Sequence, residues 1–285
     1  VTGGANVVGL DGGGIKNSGA LILKRVEVKG NTTNVAGGGL SNDGDTTMIS
    51  TTIRENHAGT GGGIRNVGTL FARDSSIFWN SADIAGGMEN RGEAELVNTS
   101  VISNYGIGIG GVYVPHFGRL HLSNATIGKN VAGAGGGGLN IEAGTDITIM
   151  NSIVADNRLS NGITSDCDGE DDFARIDVML FSVLDDPNGR FCLPKFSFFN
   201  QIGGEVTVTI SFGPINTGAN PRLPLAFISP AINVGDPNGC RTLAGDILTR
   251  DQIGTTRPVD GRCDMGAVEF NGPPPTRVFL PSIRR

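Results

Sequence analysis

Apolar and polar residues alternate along short stretches of the chain, and glycine-rich turns interrupt the alternation at regular intervals. Alternation with a period of two residues is typical of β-strands, and no stretch of the sequence keeps a helical period. An apolar residue follows each turn, and the turns begin at Gly12, Gly37, Gly61, Gly86, Gly110 and Gly136. They recur about every 24 residues, which is typical of a solenoid of stacked coils.

The repeats place the same residue types at the same positions. One column is apolar and predicts a buried ladder: Val28, Ile53, Ile77, Val101, Ile127 and Ile153. Two further columns are asparagine, the first with Asn17, Asn42, Asn66 and Asn90, the second with Asn31, Asn56, Asn80, Asn104 and Asn130. Stacked coils bring equivalent residues within about 4.8 Å, so asparagine side chains can hydrogen-bond from coil to coil. Ligand binding is the alternative role, but stacking explains the asparagines by the fold alone.

These patterns predict an all-β chain folded as a right-handed parallel β-helix, in which each repeat is one coil of short strands. We assign the regular coils to residues 1–157, irregular coils and a disulfide-braced C-terminal cap to 158–271, and a proline-rich arm to 272–285. Solenoids of 285 residues commonly form one elongated body.

The four cysteines fall into two local pairs, Cys167 with Cys192 and Cys240 with Cys263, without metal-binding C-x-x-C spacing. We predict two disulfides, with four free thiols as the alternative, and hence an oxidising compartment such as the cell surface or the exterior. No apolar run is long enough for a transmembrane segment, and we expect that any signal peptide has been removed. The net charge is −6 and basic residues are scattered, so nucleic acid is not an expected partner.

Stacking brings charged residues together in the outward columns of the predicted sheets. Glu93 should lie beside Arg119 and Glu95 beside His121, and Asp45 should lie about 10 Å from Glu93, near the upper limit for an inverting glycosidase pair. Ion pairs on a solvated sheet are the simpler interpretation. We therefore assign no catalytic residue and do not expect an enzyme, with a polysaccharide-active lyase or glycoside hydrolase as the alternative.

Metal-binding patterns are weak. The acidic loop 166–172 could bind calcium through oxygen ligands, but it lacks the regular alternation of a calcium loop. The three histidines, His57, His116 and His121, have no zinc-like spacing. We expect no metal and no cofactor, and calcium is the alternative.

One outward column becomes apolar in its middle, and it reads Lys29, Arg54, Phe78, Ile102, Gly128 and Val154. An apolar strip on the outside of a sheet is usually covered. The covering element could be the chain's own C-terminal arm, a neighbouring subunit or a glycan, in that order of preference. Phe78, Trp79, Ile102 and Tyr105 are thus the candidate surface for a partner or a glycan.

Three motifs near the C-terminus resemble a known group of proteins. They read SPAINVGD at 229–236, DQIG at 251–254 and CDMGAVEF at 263–270. Together with the glycine-rich repeats, they resemble bacterial secreted or surface β-helix proteins with a choice-of-anchor type C-terminal region. The repeats are also similar to those of polymorphic outer-membrane adhesins. Asn233 and Ile253 depart from the pattern, which usually has Asp and Arg there. The resemblance implies a secreted or surface protein, most relatives of which have no assigned reaction.

We therefore expect an extracellular structural or adhesive surface protein. The first coil has an open strand edge, and the arm at 272–285 is suited to reach a second molecule, so we also expect head-to-tail self-association into fibres. The alternative is a monomer that lost an upstream capping segment.

Overall fold

The computed structural model describes residues 1–4, 9–169, 175–184, 192–198, 201–202, 210–259 and 261–272. Within these ranges the chain contains strands and no helix, and every strand of the four sheets pairs in parallel with its equivalent in the next coil. The predicted β-solenoid is confirmed. The arm at 272–285 lies outside the described residues except for Gly272, so its role in self-association stays a prediction.

The second to sixth coils each contribute one strand to each of four sheets, and the first coil contributes to three of them. The sheets are named here in the order in which a coil visits them. Sheet I contains β1 (Ile15–Asn17), β4 (Leu40–Asn42), β8 (Ile64–Asn66), β12 (Met88–Asn90), β16 (Val112–Val114), β20 (Leu139–Ile141) and β24 (Cys167–Gly169). Sheet II contains β2 (Ala20–Lys24), β5 (Asp45–Ile49), β9 (Thr69–Arg73), β13 (Glu93–Val97), β17 (Arg119–Ser123), β21 (Asp146–Met150), β25 (Val178–Leu180) and β27 (Phe196–Phe198).

Sheets III and IV complete the coil. Sheet III contains β3 (Glu27–Lys29), β6 (Thr52–Arg54), β10 (Ser76–Phe78), β14 (Ser100–Ile102), β18 (Thr126–Gly128), β22 (Ile153–Ala155), β26 (Val183–Leu184) and β28 (Gln201–Ile202). Sheet IV contains β7 (His57–Ala58), β11 (Ser81–Ala82), β15 (Tyr105–Gly106), β19 (Val131–Ala132) and β23 (Arg158–Leu159). A turn with one residue at positive φ separates sheet II from sheet III in the regular coils.

The apolar ladder fills the interior. Ile77 pairs in register with Ile53 on one side and Val101 on the other, and all three are fully buried, as predicted. The prediction fails in the sixth coil, where Ile127 pairs with Val154 and not with Ile153. The repeat there has lengthened from 24 to 27 residues, so counting along the sequence lost the register by one position. Ala155 consequently takes the outward position that the sequence assigned to Val154.

Both asparagine ladders are present. In the first, Asn17, Asn42 and Asn66 each donate from Nδ2 to Oδ1 of the next asparagine at 2.8 Å, ending at Asn90. In the second, the equivalent bonds measure 2.9–3.0 Å from Asn31 to Asn130. This ladder continues to Asn157 and ends at the carboxylate of Asp166, which accepts at 2.7 Å. The ladders satisfy buried turn backbone, because each second-column Oδ1 also accepts the main-chain N–H of the preceding asparagine.

A third ladder, built from hydroxyl groups, was missed by the sequence analysis. The main-chain N–H of Thr51 donates to Oγ of Ser75 at 3.1 Å, and that of Ser152 donates to Oγ of Ser182 at 3.0 Å. These residues follow the positive-φ corner between sheets II and III, so their hydroxyls satisfy the corner as the asparagines satisfy the other turns.

The C-terminal segment, residues 210–259 and 261–272, doubles back along the outside of the coils, and we name it the strap. Its apolar side chains pack on the outer face of sheet III, where Ile232 and Met265 form a cluster with Ile153. Both predicted disulfides are present. Cys167 is bonded to Cys192, and Cys240 is bonded to Cys263 within the strap.

Candidate functional site

The predicted partner or glycan surface divides into a covered half and an open half. Phe78 and Ile102 are fully buried, because Phe212, Ile215 and Leu223 of the strap pack against them. From the sequence, the arm at 272–285 is the first choice for the element that covers this apolar strip. The covering residues do belong to the chain's own C-terminal part, but they lie upstream of that arm.

The open half consists of Trp79 and Tyr105, which are 49% and 45% exposed. They lie on adjacent coils, Trp79 at the corner between sheets III and IV and Tyr105 at the start of the sheet IV strand β15. Trp79 adopts a φ of 53°, which is rare for a bulky residue, and its ring stacks on Phe78 with centroids 4.3 Å apart. The backbone fixes this geometry, since the corner position also has positive φ at Gly30, Glu55, Ser103, Lys129 and Asp156. The ring of Trp79 is therefore half exposed at this corner and packs against the covered part of the apolar column through Phe78.

The charged column of sheet II has the predicted register. Glu93 pairs with Arg119, whose Nη1 lies 3.9 Å from the carboxylate, and Glu95 pairs with His121. Asp45 and Glu93 both pair with Thr69, so they lie two strands apart. The Glu93–Arg119 pair is exposed and contributes little to stability.

Glu95 has the most suggestive environment in this column. Burial raises the pKa of Glu95. The neighbouring His121 acts to lower this pKa, whereas the negative charges of Glu93 and of Asp246 in the strap act to raise it further. Nδ1 of His121 is buried without a hydrogen-bond partner among the described residues. A half-buried carboxyl group with a raised pKa beside an imidazole is an arrangement typical of acid–base sites, which makes this pair the strongest acid–base candidate in the described part of the chain.

A second titratable cluster escaped the sequence analysis, because its members come from different coils. Glu142 accepts hydrogen bonds from the Tyr113 hydroxyl and from the His116 main-chain N–H at 3.0 Å, and its carboxylate contacts the His116 ring. Although burial acts to raise it, these hydrogen bonds lower the pKa of Glu142. Burial, followed by the bond to Glu142, raises the pKa of Tyr113. The cluster fastens the loop of the fifth coil to the sixth and leaves Phe117 80% exposed.

Residues of the C-terminal motifs, together with Arg257 between the second and the third motif, form a buried polar clamp that holds the strap to the solenoid. Arg257 and Glu269 are completely buried and bond at 2.6 Å, and Arg257 also donates to Oδ1 of Asn98 at 2.7 Å. Gln252 donates to Oγ of Ser76 at 2.8 Å and accepts from Oγ of Ser100 at 2.6 Å. Burial, opposed by Arg257, raises the pKa of Glu269 to about 7. The clamp residues thus bind the chain itself, which assigns the motifs a structural role.

The candidate metal ligands are dispersed. Asp166 ends the second asparagine ladder, and residues 170–172 of the acidic loop lie outside the described residues. His57 bonds to Ser81 at 3.0 Å, while the other two histidines contact carboxylates or lie beside them. Over the described ranges, no three His, Cys, Asp or Glu side chains are grouped so that they could hold a metal ion.

Fold and site together define a parallel β-solenoid with asparagine ladders and a disulfide-braced strap along one side. Comparison of the chain with protein-family models, curated proteins and solved structures finds no match. The resemblance to anchored surface proteins and adhesins therefore stays an expectation. The two disulfides indicate an oxidising environment. In the part of the chain that the structure describes, no helix could cross a membrane.

Proposed function

We propose that this chain is an extracellular adhesive protein that binds a surface glycan through Trp79 and Tyr105. The observation that carries the proposal is that these two aromatic side chains stay exposed on adjacent coils, whereas the strap buries the apolar residues next to them. Exposed aromatic rings on a rigid frame can pack against the C–H faces of sugar rings at a small entropic cost.

The residues around Trp79 and Tyr105 favour a binding surface over a catalytic site. The corner positions of the neighbouring coils are Glu55 and Ser103, and the ring of His57 is already bonded to Ser81. A catalytic site needs an acid and a base that converge on one reacting atom. The surface formed by Trp79 and Tyr105, named here the aromatic corner, shows no such arrangement within the described residues, whereas an adhesive protein needs only a complementary surface.

The pair can be tested by mutation. Trp79→Ala and Tyr105→Ala are each expected to weaken binding to a responding polysaccharide by at least about tenfold, because each removes one stacking surface. Pull-down on insoluble polysaccharides and an array of soluble glycans would identify the ligand, and titration of the purified variants would give the affinities.

Phe117→Ala is the matched control, since Phe117 is also an exposed aromatic residue but lies on another loop. Binding by this variant should equal that of the unmodified chain. If Trp79→Ala and Tyr105→Ala bind as well as Phe117→Ala, the aromatic corner is not the adhesive surface.

A polysaccharide-active enzyme is the second candidate, and the half-buried Glu95 beside His121 is the observation that favours it. We expect no turnover when neutral and acidic polysaccharides are incubated with the protein and the products are followed by reducing-end release and by absorbance of unsaturated sugars. Turnover that is lost in Glu95→Gln and kept in Glu93→Gln, with unchanged melting temperatures, would replace the adhesive assignment by an enzymatic one.

A further inference from the structure

A cleft lies where the tip of a strap loop meets the corner between sheets II and III. The loop tip, Ala219 and Asn220, divides the cleft into cavities of about 440 and 480 Å³, and both cavities also share Ser50. Oγ1 of Thr52 donates to the carbonyl oxygen of Ala219 at 3.1 Å, and Nδ2 of Asn220 donates to the carbonyl oxygen of Asp74 at 3.1 Å. These bonds fix the loop, so the cleft is a formed feature of the docked strap.

Three arginines line the cleft without carboxylate partners. Arg25 lines the first cavity, and Arg222 and Arg250 line the second. Arg250 donates to the carbonyl oxygen of Gly254 at 2.7 Å, and Arg222 donates to that of Asn220 at 3.4 Å. No described carboxylate forms an ion pair with any of the three. A guanidinium carries five N–H donors, so most of their donor capacity is available to a ligand.

The carboxylates that line the cleft are already engaged. Glu27 is bonded to Arg54 at 2.5 Å, and Asp74 accepts from Nδ2 of Asn98 at 3.1 Å with Arg73 at 3.5 Å. Asp251 is buried, and its Oδ1 accepts the main-chain N–H groups of Ile253 and Thr255 at 3.0 and 2.7 Å. The groups left free to meet a ligand in this cleft are therefore predominantly the cationic ones.

We propose that this cleft binds an oxyanion-bearing oligosaccharide, that is, a short carboxylated or sulfated glycan segment. Arginine forks match the geometry of carboxylate and sulfate groups, and two cavities of this size suit a ligand of a few sugar rings. Val26 and Ile253 provide apolar walls for the C–H faces of the rings. The lining of both cavities contains no aromatic residue on which a nucleobase could stack, which disfavours single-stranded nucleic acid.

This site is independent of the aromatic corner. The cleft lies at the edge of sheet III that faces sheet II, whereas Trp79 lies at the edge that faces sheet IV. Either site can be lost without the other, so a failure of the cleft to bind a glycan leaves the adhesive assignment unaffected.

The double variant Arg25→Gln/Arg250→Gln removes one cationic group from each cavity. Both residues are exposed, and the variant should melt as the unmodified chain does.

The test is calorimetric titration of the full chain at low and at physiological salt. The probes are a trigalacturonate, a sulfated heparin tetrasaccharide, a neutral maltotriose and an acidic peptide. We expect the trigalacturonate, the heparin fragment or both to bind, with at least about tenfold weaker binding by Arg25→Gln/Arg250→Gln and no binding of maltotriose. The two anionic probes distinguish carboxylate from sulfate recognition.

Arg158→Gln is the matched control, because Arg158 is exposed on the last strand of sheet IV and does not line the cleft. The affinity of this variant for the anionic sugars should equal that of the unmodified chain. The proposal is overturned if no anionic sugar binds at low salt, if Arg158→Gln weakens binding as much as the double variant does, or if the acidic peptide binds more tightly than both sugars.

Discussion

Replacement of Arg257 by methionine is expected to lower the free energy of unfolding by about 3–5 kcal/mol. The substitution leaves the buried carboxylate of Glu269 without its cation, and the buried Asp264 adds negative charge nearby. It also removes the bond to Asn98 that joins the clamp to the corner of the fourth coil. Urea denaturation with intact disulfides would measure the change.

The response of Trp79 adds a structural readout, because the chain contains one tryptophan and its ring stacks on the strap-covered Phe78. Loosening of the strap should change the fluorescence of Trp79 before the coils unfold.

Arg241→Met is the control, since the Arg241 guanidinium bonds to main-chain carbonyls at the surface. This variant should change the free energy of unfolding by no more than about 0.5 kcal/mol. The double variant Arg257→Met/Glu269→Met should regain much of the loss, because it leaves no unpaired buried charge. An Arg257→Met variant as stable as Arg241→Met would show that the clamp does not hold the strap.

The repeating part of the fold could be predicted because each contact within it recurs at a nearly fixed spacing. Asn56 meets Asn80 after 24 residues, and Asn80 meets Asn104 after another 24. The same regularity explains the error at Ile153, because a column found by counting fails where the coil lengthens. The disulfide pairing was accessible for a similar reason, since the partners lie only 25 and 23 residues apart.

The position of the strap could not be predicted, because its contacts span long separations and follow no period. Asn98 donates to the carbonyl oxygen of Arg250, which lies 152 residues further along the chain. Asn124 makes the equivalent bond to Arg241, and Asn151 accepts from the main-chain N–H of Asp236. The sequence shows these asparagines as ordinary corner residues. The outward side chains of these three asparagines form a line of hydrogen-bonding groups along the solenoid, named here the docking line, to which the strap binds.

This docking line also explains why both candidate sites depend on tertiary structure. The strap buries Phe78 and thereby isolates Trp79 and Tyr105 as an exposed pair. Its loop tip at Asn220 creates the arginine-lined cleft on the other edge of the same sheet. The exposed aromatic residues were visible in the sequence, whereas the cleft was not, because Arg25 and Arg250 come from opposite ends of the chain.

Replacement of Asn80 by alanine is expected to lower the free energy of unfolding by about 3–5 kcal/mol, which makes the ladder as critical as the clamp. Oδ1 of Asn80 accepts the main-chain N–H of Asn56 at 3.1 Å and its Nδ2 at 2.9 Å. Nδ2 of Asn80 donates to the carbonyl oxygen of Ile53 and to Oδ1 of Asn104, both at 3.0 Å. Alanine removes all four bonds and leaves buried groups on both neighbouring coils unpaired, where water cannot replace the lost partner.

Asn140→Ala is the matched control, because Asn140 lies on the outer side of sheet I and its side chain makes no hydrogen bond to the described residues. Its effect should stay within about 0.5 kcal/mol. Asn80→Asp separates the contribution of the acceptor Oδ1 from that of the donor Nδ2. An aspartate keeps the acceptor for Asn56 but loses the donor to Ile53 and opposes Oδ1 of Asn104, so it should also be strongly destabilising. An aspartate from outside this column already ends the ladder, where Oδ1 of Asp166 accepts from Nδ2 of Asn157. If urea denaturation gave Asn80→Ala and Asn140→Ala the same stability, the ladder would be a consequence of coil stacking and not one of its causes.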